Sequence, residues 1–303
     1  MSDIKLFRIG ADTVKEEQSQ SATVEKSLQT LIERHLEAFL SVRFLDTEYS
    51  TGKTHGGRID TLGIDEDDSP VIIEYKRATN ENVINQGLYY LDWLMDHKAE
   101  FQLLVQKRLG QEVADNIVWS TPRLICIAGD FTKYDEYAVQ QINRNIELLR
   151  YRRFADDLLV LELVNRRTSA ESPAGPAAQE AGSGSKKTAL ENLAATDQEL
   201  NDRFEALKAF LAALGDDVQM KTLKHYIVFK RLKNFASVEI HPVARKITAF
   251  VKVDPKSIEL KPGFTRDVTE IGHYGTGDLE IVIDSAEDFE AAKPLFVKSY
   301  DVS

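Results

Sequence analysis

A single cysteine, Cys126, stands among the 303 residues. This excludes an internal disulfide framework and any zinc site built on several thiolates. It lies in the apolar run "RLICIAG", where a thiol packs as a small hydrophobe rather than acting as a nucleophile, and a reducing, cytoplasmic compartment is the expectation that follows. No apolar run approaches the roughly 18 residues of a membrane span, so no membrane partner is expected. The N-terminal "MSDIKLFRIGADTVKEE" has neither the apolar core nor the small-residue cleavage site of a secretory signal. Basic charge is also scarce: the formal net charge is −11. Residues 1–167 carry 28 acidic and 21 basic side chains, and the remainder carries 21 and 17. Neither part is a generally basic nucleic-acid domain. Because long-range repulsion opposes approach to a polyanion, any DNA contact has to be local and helped by a metal ion. The histidines His97, His225, His241 and His273 show no metal-ligand spacing, and no Ser/His/Asp set is suggested.

What remains is ordinary for a globular chain, 43% hydrophobic and 29% charged, and long enough for two cores. The clearest boundary is "TSAESPAGPAAQEAGSGSKK", residues 168–187. Its composition cannot bury enough apolar surface to offset chain entropy, so it reads as a flexible linker. It separates a domain of residues 1–167 from one of residues 188–303. In the first, "TVEKSLQTLIERHLEAFL" has a helical stripe of Leu28, Leu31, Ile32, Leu36, Phe39 and Leu40. Strands are expected near 43–49, 58–64 and 70–76. A helical region follows from Asn82, broken near Asp96–His97, and then a strand in "PRLICIAGD", a helix in "YDEYAVQQINR" and strands in "IELLRY" and "LLVLELV". The order αβββαβ, with an α/β extension, implies a mixed sheet flanked by helices. The second domain reads as a smaller α+β fold. One long helix, "ALENLAATDQELNDRFEALKAFLAAL", precedes strands in "YIVFKRLKNFASVEIHP", "KITAFVKVD" and "DLEIVID", and a final helix follows.

The stretch "GRIDTLGIDEDDSPVIIEYKR", residues 57–77, carries the chemistry. Glu74 and Lys76, two apart on a strand, share a face. Asp60 sits on the preceding strand and joins them if the two strands pair as a hairpin. Converging carboxylates are hard oxygen ligands suited to Mg²⁺ or Mn²⁺, and without a cation one of their pKa values would rise. The carbonyl of Tyr75 is a further available ligand, and the Lys76 ammonium can position water and steady charge on a phosphoryl group. On spacing alone, a salt bridge from Lys76 to Glu74 or Asp60 is the simpler account of the pattern. The acidic turn Asp65–Asp68 is expected to be only a solvated link.

The neighbouring helices argue for more than a salt bridge. Gln86 and Tyr90, four apart, share one face of the helix after the Glu74 strand. In the first helix, the stripe Leu28, Ile32, Leu36 and Phe39 lies within about 60° of Glu25, while Glu33 and Glu37 fall near 80° and 120°. Glu25 therefore faces the sheet, where an unpartnered carboxylate is costly. Glu33 is the flanking alternative.

Glu25, Asp60, Glu74-Tyr75-Lys76 and Gln86-Gly-Leu-Tyr-Tyr90 resemble the motif series of the PD-(D/E)XK nuclease superfamily on its αβββαβ, restriction-endonuclease-like core. The stretch "GRIDTLGID…PVIIEYKRA" is similar to the branch holding the NucS mismatch endonucleases. Ile59 stands where the superfamily name has proline. The resemblance covers roughly residues 22–165. It implies metal-dependent hydrolysis of a DNA phosphodiester, in DNA repair or defence, with Mg²⁺ or Mn²⁺ as cofactor. Asp60, Glu74 and Tyr75 would hold the metal, and Lys76 would position the attacking water. Glu25 and Gln86 would assist, and Tyr90 would support the site or touch the DNA backbone. A homodimer would be natural for cutting both strands. The alternative is a protein using the same fold to bind nucleic acid or a partner without cleaving.

The downstream domain resembles an uncharacterised bacterial domain found attached to such nuclease-like modules. From Val218 to Val238 it has no acid but carries Lys221, Lys224, Lys230, Arg231 and Lys233, interleaved with Tyr226, Phe229 and Phe235. Basic and aromatic residues on a sheet face can grip phosphate and stack on bases, although a solvated outer face would look the same. The "GHYGTGDLEI" segment has glycines that allow close approach to a ligand, or simply a tight loop entering a strand.

Overall fold

The computed structural model describes residues 4–20, 25–76, 83–155, 157–167 and 187–303. The chain divides into two compact units, residues 1–175 and 176–303. The segment read as a linker lies, except for Lys187, outside the described residues.

The first unit opens with a hairpin of β1 (Leu6–Ile9) and β2 (Val14–Glu17), which the sequence reading did not anticipate, and a short β3 (Ser19–Gln20). The first helix is two pieces, α1 (Glu25–Arg34) and α2 (Leu36–Leu40), ended by Ser41 in the left-handed region at φ 50°. Then come β4 (Val42–Ser50), a single turn α3 (Gly52–His55), β5 (Arg58–Asp65) and β6 (Pro70–Lys76). After the crossover helices α4 (Val83–Asp96), α5 (Lys98–Leu109) and α6 (Gln111–Asp115) comes β7 (Arg123–Ala128). The unit closes with α7 (Lys133–Gln141), β8 (Asn145–Phe154) and β9 (Leu158–Arg167). The break between α4 and α5 falls at His97, whose ring stacks on Trp93 at 4.8 Å.

Strands β3 to β9 form one mixed seven-stranded sheet in the order β3-β8-β7-β6-β5-β4, with β9 also paired to β8, while β1 and β2 pair only with each other. Strands β4, β5 and β6 are an antiparallel meander, whereas β6, β7 and β8 run parallel. Every residue of β7 is buried, as expected for a parallel strand covered on both faces. Cys126 lies within it, fully buried, with its thiol pKa pushed up by burial. Helix α4 buries Val83, Ile84, Gly87, Tyr90, Leu91, Trp93 and Leu94, a stripe at helical spacing. Gly87 lets it sit close to the sheet, since a Cβ there would meet Leu124 at 2.4 Å.

The acidic turn is not the solvated link it was expected to be. Asp65 is fully buried and Asp67 nearly so. One Asp65 oxygen accepts the backbone N–H groups of Asp67 and Ser69 at 3.0 and 2.9 Å, and the other faces Arg123 at 2.9 Å. Arg123 also forks onto Glu147, which Arg166 reaches at 3.2 Å. Arg150 is likewise buried between Asp130 and Glu162.

The second unit contains α8 (Ala189–Ala194), α9 (Gln198–Ala212), β10 (Gln219–Thr222), β11 (Ile227–Lys230), β12 (Asn234–His241), β13 (Lys246–Val251), β14 (Thr265–Asp267), β15 (Leu279–Ile283) and α10 (Ala286–Asp301). The expected single long helix is broken into two because Asp197 caps a new start, accepting from the Leu200 amide at 2.9 Å. "YIVFKRLKNFASVEIHP" is two strands rather than one, turned at Arg231–Lys233. All six strands pair antiparallel in the order β10-β11-β12-β13-β15-β14. Ile227, Phe229, Val238, Ala249 and Ile281 join Leu207, Leu211 and Phe296 in one core, so the helices cover one face of the sheet.

Removing the Arg123 guanidinium strands Asp65 and Glu147 as buried charges. Arg123→Leu is expected to lower stability by about 3–5 kcal/mol, read as a shifted urea midpoint at unchanged slope.

Candidate functional site

The pairing of β5 with β6 begins at Ile64–Pro70 and ends at Thr61–Ile73. Beyond that point the strands bond through side chains instead. The Glu74 carboxylate accepts the Asp60 backbone N–H at 3.2 Å, and the Asp60 carboxylate accepts the Tyr75 backbone N–H at 3.0 Å. Each acid therefore fills the gap its partner strand leaves. A residue's N–H and C=O point to the same strand edge, so the Tyr75 carbonyl is directed toward the Asp60 side as well.

Glu74 is fully buried, and its Oε2 has no hydrogen-bond partner. Burial first, then the Asp60 charge, pushes its pKa up to about 9. The Asp60 carboxyl is also raised, by burial above all, with opposing contributions from the Tyr75 amide and the Lys76 charge. Lys76 lies 3.6 Å from Glu25, the first residue of α1. Asp60, Glu74, Lys76 and Glu25 are thus gathered at one end of the sheet. Glu33 is used elsewhere: it accepts the Thr61 hydroxyl at 2.6 Å and lies 3.0 Å from the Gln29 amide.

Gln29 is a site residue that the sequence reading missed. Only 3% exposed, its amide nitrogen lies 2.7 Å from the Asp60 carbonyl and 3.2 Å from the Thr47 hydroxyl, while its oxygen takes the Lys26 ammonium at 3.2 Å. The available signal was its place one turn after Glu25, a polar side chain within an apolar stripe.

Among the described residues, Gln86 and Tyr90 bond to each other and to the start of β5 rather than to the carboxylates. The Gln86 amide donates to the Tyr90 hydroxyl at 3.4 Å, and that hydroxyl accepts the Arg58 backbone N–H at 3.2 Å. Tyr90 is 5% exposed, and its hydroxyl supports the start of β5. Gly57 is required there, since a Cβ would meet the Tyr90 ring at 2.6 Å.

The basic run of the second unit is not one solvated face. Lys230 is 5% exposed, and Arg231 pairs with Asp217 at 2.8 Å while its guanidinium lies over the Tyr300 ring, 4.5 Å from the centroid. Lys224 is exposed, and Lys221 and Lys233 are half-buried. The "GHYGTGD" glycines serve close approach to the sheet: Gly275 abuts Ser237, and Gly277 abuts the Val251 backbone. His273 stacks on Phe250 at 4.0 Å and Tyr274 on His225 at 4.8 Å. On the sheet face away from the helices, a cavity of about 510 Å³ is lined by residues including Glu239, His241, Lys246, Phe250, Arg266 and Glu280.

No group of three or more His, Cys, Asp or Glu side chains arranged for a metal occurs among the described residues. The donor set of the gap is therefore two carboxylates and one carbonyl, which leaves positions for water and substrate oxygens, the usual manner of Mg²⁺ binding. The buried, unpartnered Glu74 Oε2 fits such an ion. Among the described residues no helix is long and apolar enough to cross a membrane.

The model of a domain of unknown function, DUF5655, matches residues 191–303. An uncharacterized protein of Haemophilus influenzae (strain ATCC 51907 / DSM 11121 / KW20 / Rd) is 28% identical over 297 residues, covering 95% of this chain and 96% of its own. Among solved structures, an EndoMS-dsDNA2 complex is similar at 18% identity and a TM-score of 0.25, over 46% of this chain and 53% of that one. The match thus spans about half of that solved chain.

The raised Glu74 value gives a signed prediction. In the metal-free folded chain Glu74 keeps a proton that the unfolded chain loses above its ordinary value of 4.5. The Glu74 contribution to stability is therefore greatest below pH 4.5 and is lost as pH rises toward about 9, at up to about 1.4 kcal/mol per pH unit. Thermal unfolding in EDTA should show that slope, and Glu74→Gln should flatten it.

Proposed function

We propose that the first unit is a metal-dependent DNA nuclease of the PD-(D/E)XK type. The observation that carries this reading is the gap between β5 and β6, where the fully buried Glu74 meets the half-buried Asp60 and one Glu74 oxygen lacks a hydrogen-bond partner. Burying two acids costs several kcal/mol unless a cation or a proton compensates.

In this reading Asp60, Glu74 and the Tyr75 carbonyl hold Mg²⁺ or Mn²⁺, which would supply Lewis-acid stabilisation of the phosphoryl oxygens. Lys76, on the same strand and only 14% exposed, presents its ammonium to the attacking water and to the charge that develops on phosphate. Glu25 holds that ammonium in place from α1. Gln29 fixes the Asp60 backbone, and Gln86 acts through Tyr90 on the start of β5. Cutting both strands of a duplex would call for two copies of the chain. The second unit serves as a ligand sensor through its sheet-face cavity, since its basic run is partly buried and partly paired.

Two observations favour a binding module that does not cleave. The net charge of −11 opposes DNA, and Lys76 is already paired with Glu25. Incubation with linear, nicked, mismatched and single-stranded DNA separates the two readings. Mg²⁺- or Mn²⁺-dependent cleavage is expected, stopped by EDTA and reduced at least about 100-fold by Glu74→Gln or Lys76→Ala. Cleavage that survives both substitutions would remove this site from the reaction, and DNA binding without cleavage or metal uptake would favour the binding module.

A further inference from the structure

The segment "YSTGKTHGGRI" between Glu48 and Asp60 has no acidic residue. In a chain of net charge −11, this cationic stretch leads directly into the first carboxylate of the gap. It folds as a rigid loop. Thr51 and Gly57 clasp its ends through three hydrogen bonds of 3.0 Å: both Thr51 donors go to the Gly57 carbonyl, and the Gly57 N–H goes to the Thr51 hydroxyl. The Gly56 N–H closes α3 on the Gly52 carbonyl at 2.9 Å. From outside, the Tyr89 hydroxyl donates to the His55 carbonyl at 2.9 Å, and the Tyr90 ring fills the space against Gly57.

Gly52 and Gly56 have φ of 76° and 63°, and nothing crowds either position closely. Glycine is there for the backbone's left-handed path, which turns the loop around a cavity of about 430 Å³ lined by Ser50, Gly52, Lys53, Gly56, Gly57 and Arg58. Lys53 is exposed. The Arg58 side chain is 70% exposed and held only loosely, 3.7 Å from Glu48, which already has Lys26 at 2.7 Å. His55 Nδ1 is buried without a hydrogen-bond partner. Two cations and a glycine backbone around an open concavity are suited to a phosphate group. Arg58 stands two residues before Asp60 on the same strand, about 6.8 Å along it, close to the spacing of successive phosphates.

We propose that residues 50–58 form a subsite for a backbone phosphate of duplex DNA beside the bond to be cut. That position beside a scissile bond rests on the nuclease reading, whereas the phosphate chemistry rests on the loop itself. Gln86 and Tyr90 are then positioning residues, setting the loop against β5.

The test is DNA binding by the full chain, with and without Ca²⁺, followed by fluorescence anisotropy of a labelled duplex across a salt series. Lys53→Ala with Arg58→Ala should weaken binding at least tenfold and lower the slope of log K against log salt by about two, with an unchanged thermal midpoint. Millimolar inorganic phosphate should compete only feebly. Unchanged affinity and slope in the double variant would overturn the subsite, as would a wild-type chain that binds no duplex, or a loop that takes free phosphate in preference to DNA. Metal titration of the same variants should match wild type, because Asp60 and Glu74 are untouched. Loss of DNA binding with normal metal uptake therefore supports the loop even if no cleavage is found. Absent metal uptake in wild type would remove the nuclease reading without touching the loop.

Discussion

Everything at the candidate site depends on one place where a β-ladder stops. Past Thr61 and Ile73 the hydrogen bonds between β5 and β6 pass from backbone pairs to side chains, so that each carboxylate is bound to an amide of the opposite strand. The acids are not simply near each other. They are substitutes for missing ladder bonds, so their positions are as well determined as the strands themselves. Where the ladder stops, strand amides are left for side chains to bind, and the two carboxylates that bind them are brought together. Their convergence has its cause in backbone geometry, and the raised pKa of Glu74 is its electrostatic consequence.

The other end of the same two strands is tied by opposite chemistry. There Arg123 neutralises Asp65 and Glu147, and the turn amides of Asp67 and Ser69 complete the shell. One end of the hairpin is a closed, compensated cluster and the other an open, uncompensated one. A closed anchor lets the open end remain strained by charge without loss of register, which fits the general pattern of functional sites departing from the rules that the rest of a fold obeys.

Much of this was legible in the sequence, and the failures have physical reasons. The three central strands, the αβββαβ order and the grouping of Glu25 with Asp60, Glu74 and Lys76 follow from periods of 2 and 3.6 and from which residues those periods place inward. The buried acidic turn was misread because "DEDD" resembles a solvated link locally; its partner Arg123 lies 58 residues away in sequence. Lys230 was misplaced for a related reason, since a lysine on a strand is assigned outward unless its neighbours across the sheet are known. Tyr90 was correctly singled out for its spacing from Gln86, but spacing could not show that its hydroxyl already serves the Arg58 amide. The α1–α2 break at His35 and the second break before Asp197 leave only small traces in hydrophobic periodicity.

Gln29 has a consequence for how this chain can change over time. Its single amide spans α1, β4 and β5, and Glu25 lies one turn before it on the same side of the helix. Insertion of one residue between them would leave Gln29 and the hydrophobic stripe in place, yet swing Glu25 by about 100° away from Lys76. Length variation within that turn is thus closed to the chain even though most of its residues are exposed. The hairpin of β1 and β2, paired in the structure to no strand of the main sheet, bears no such constraint of spacing.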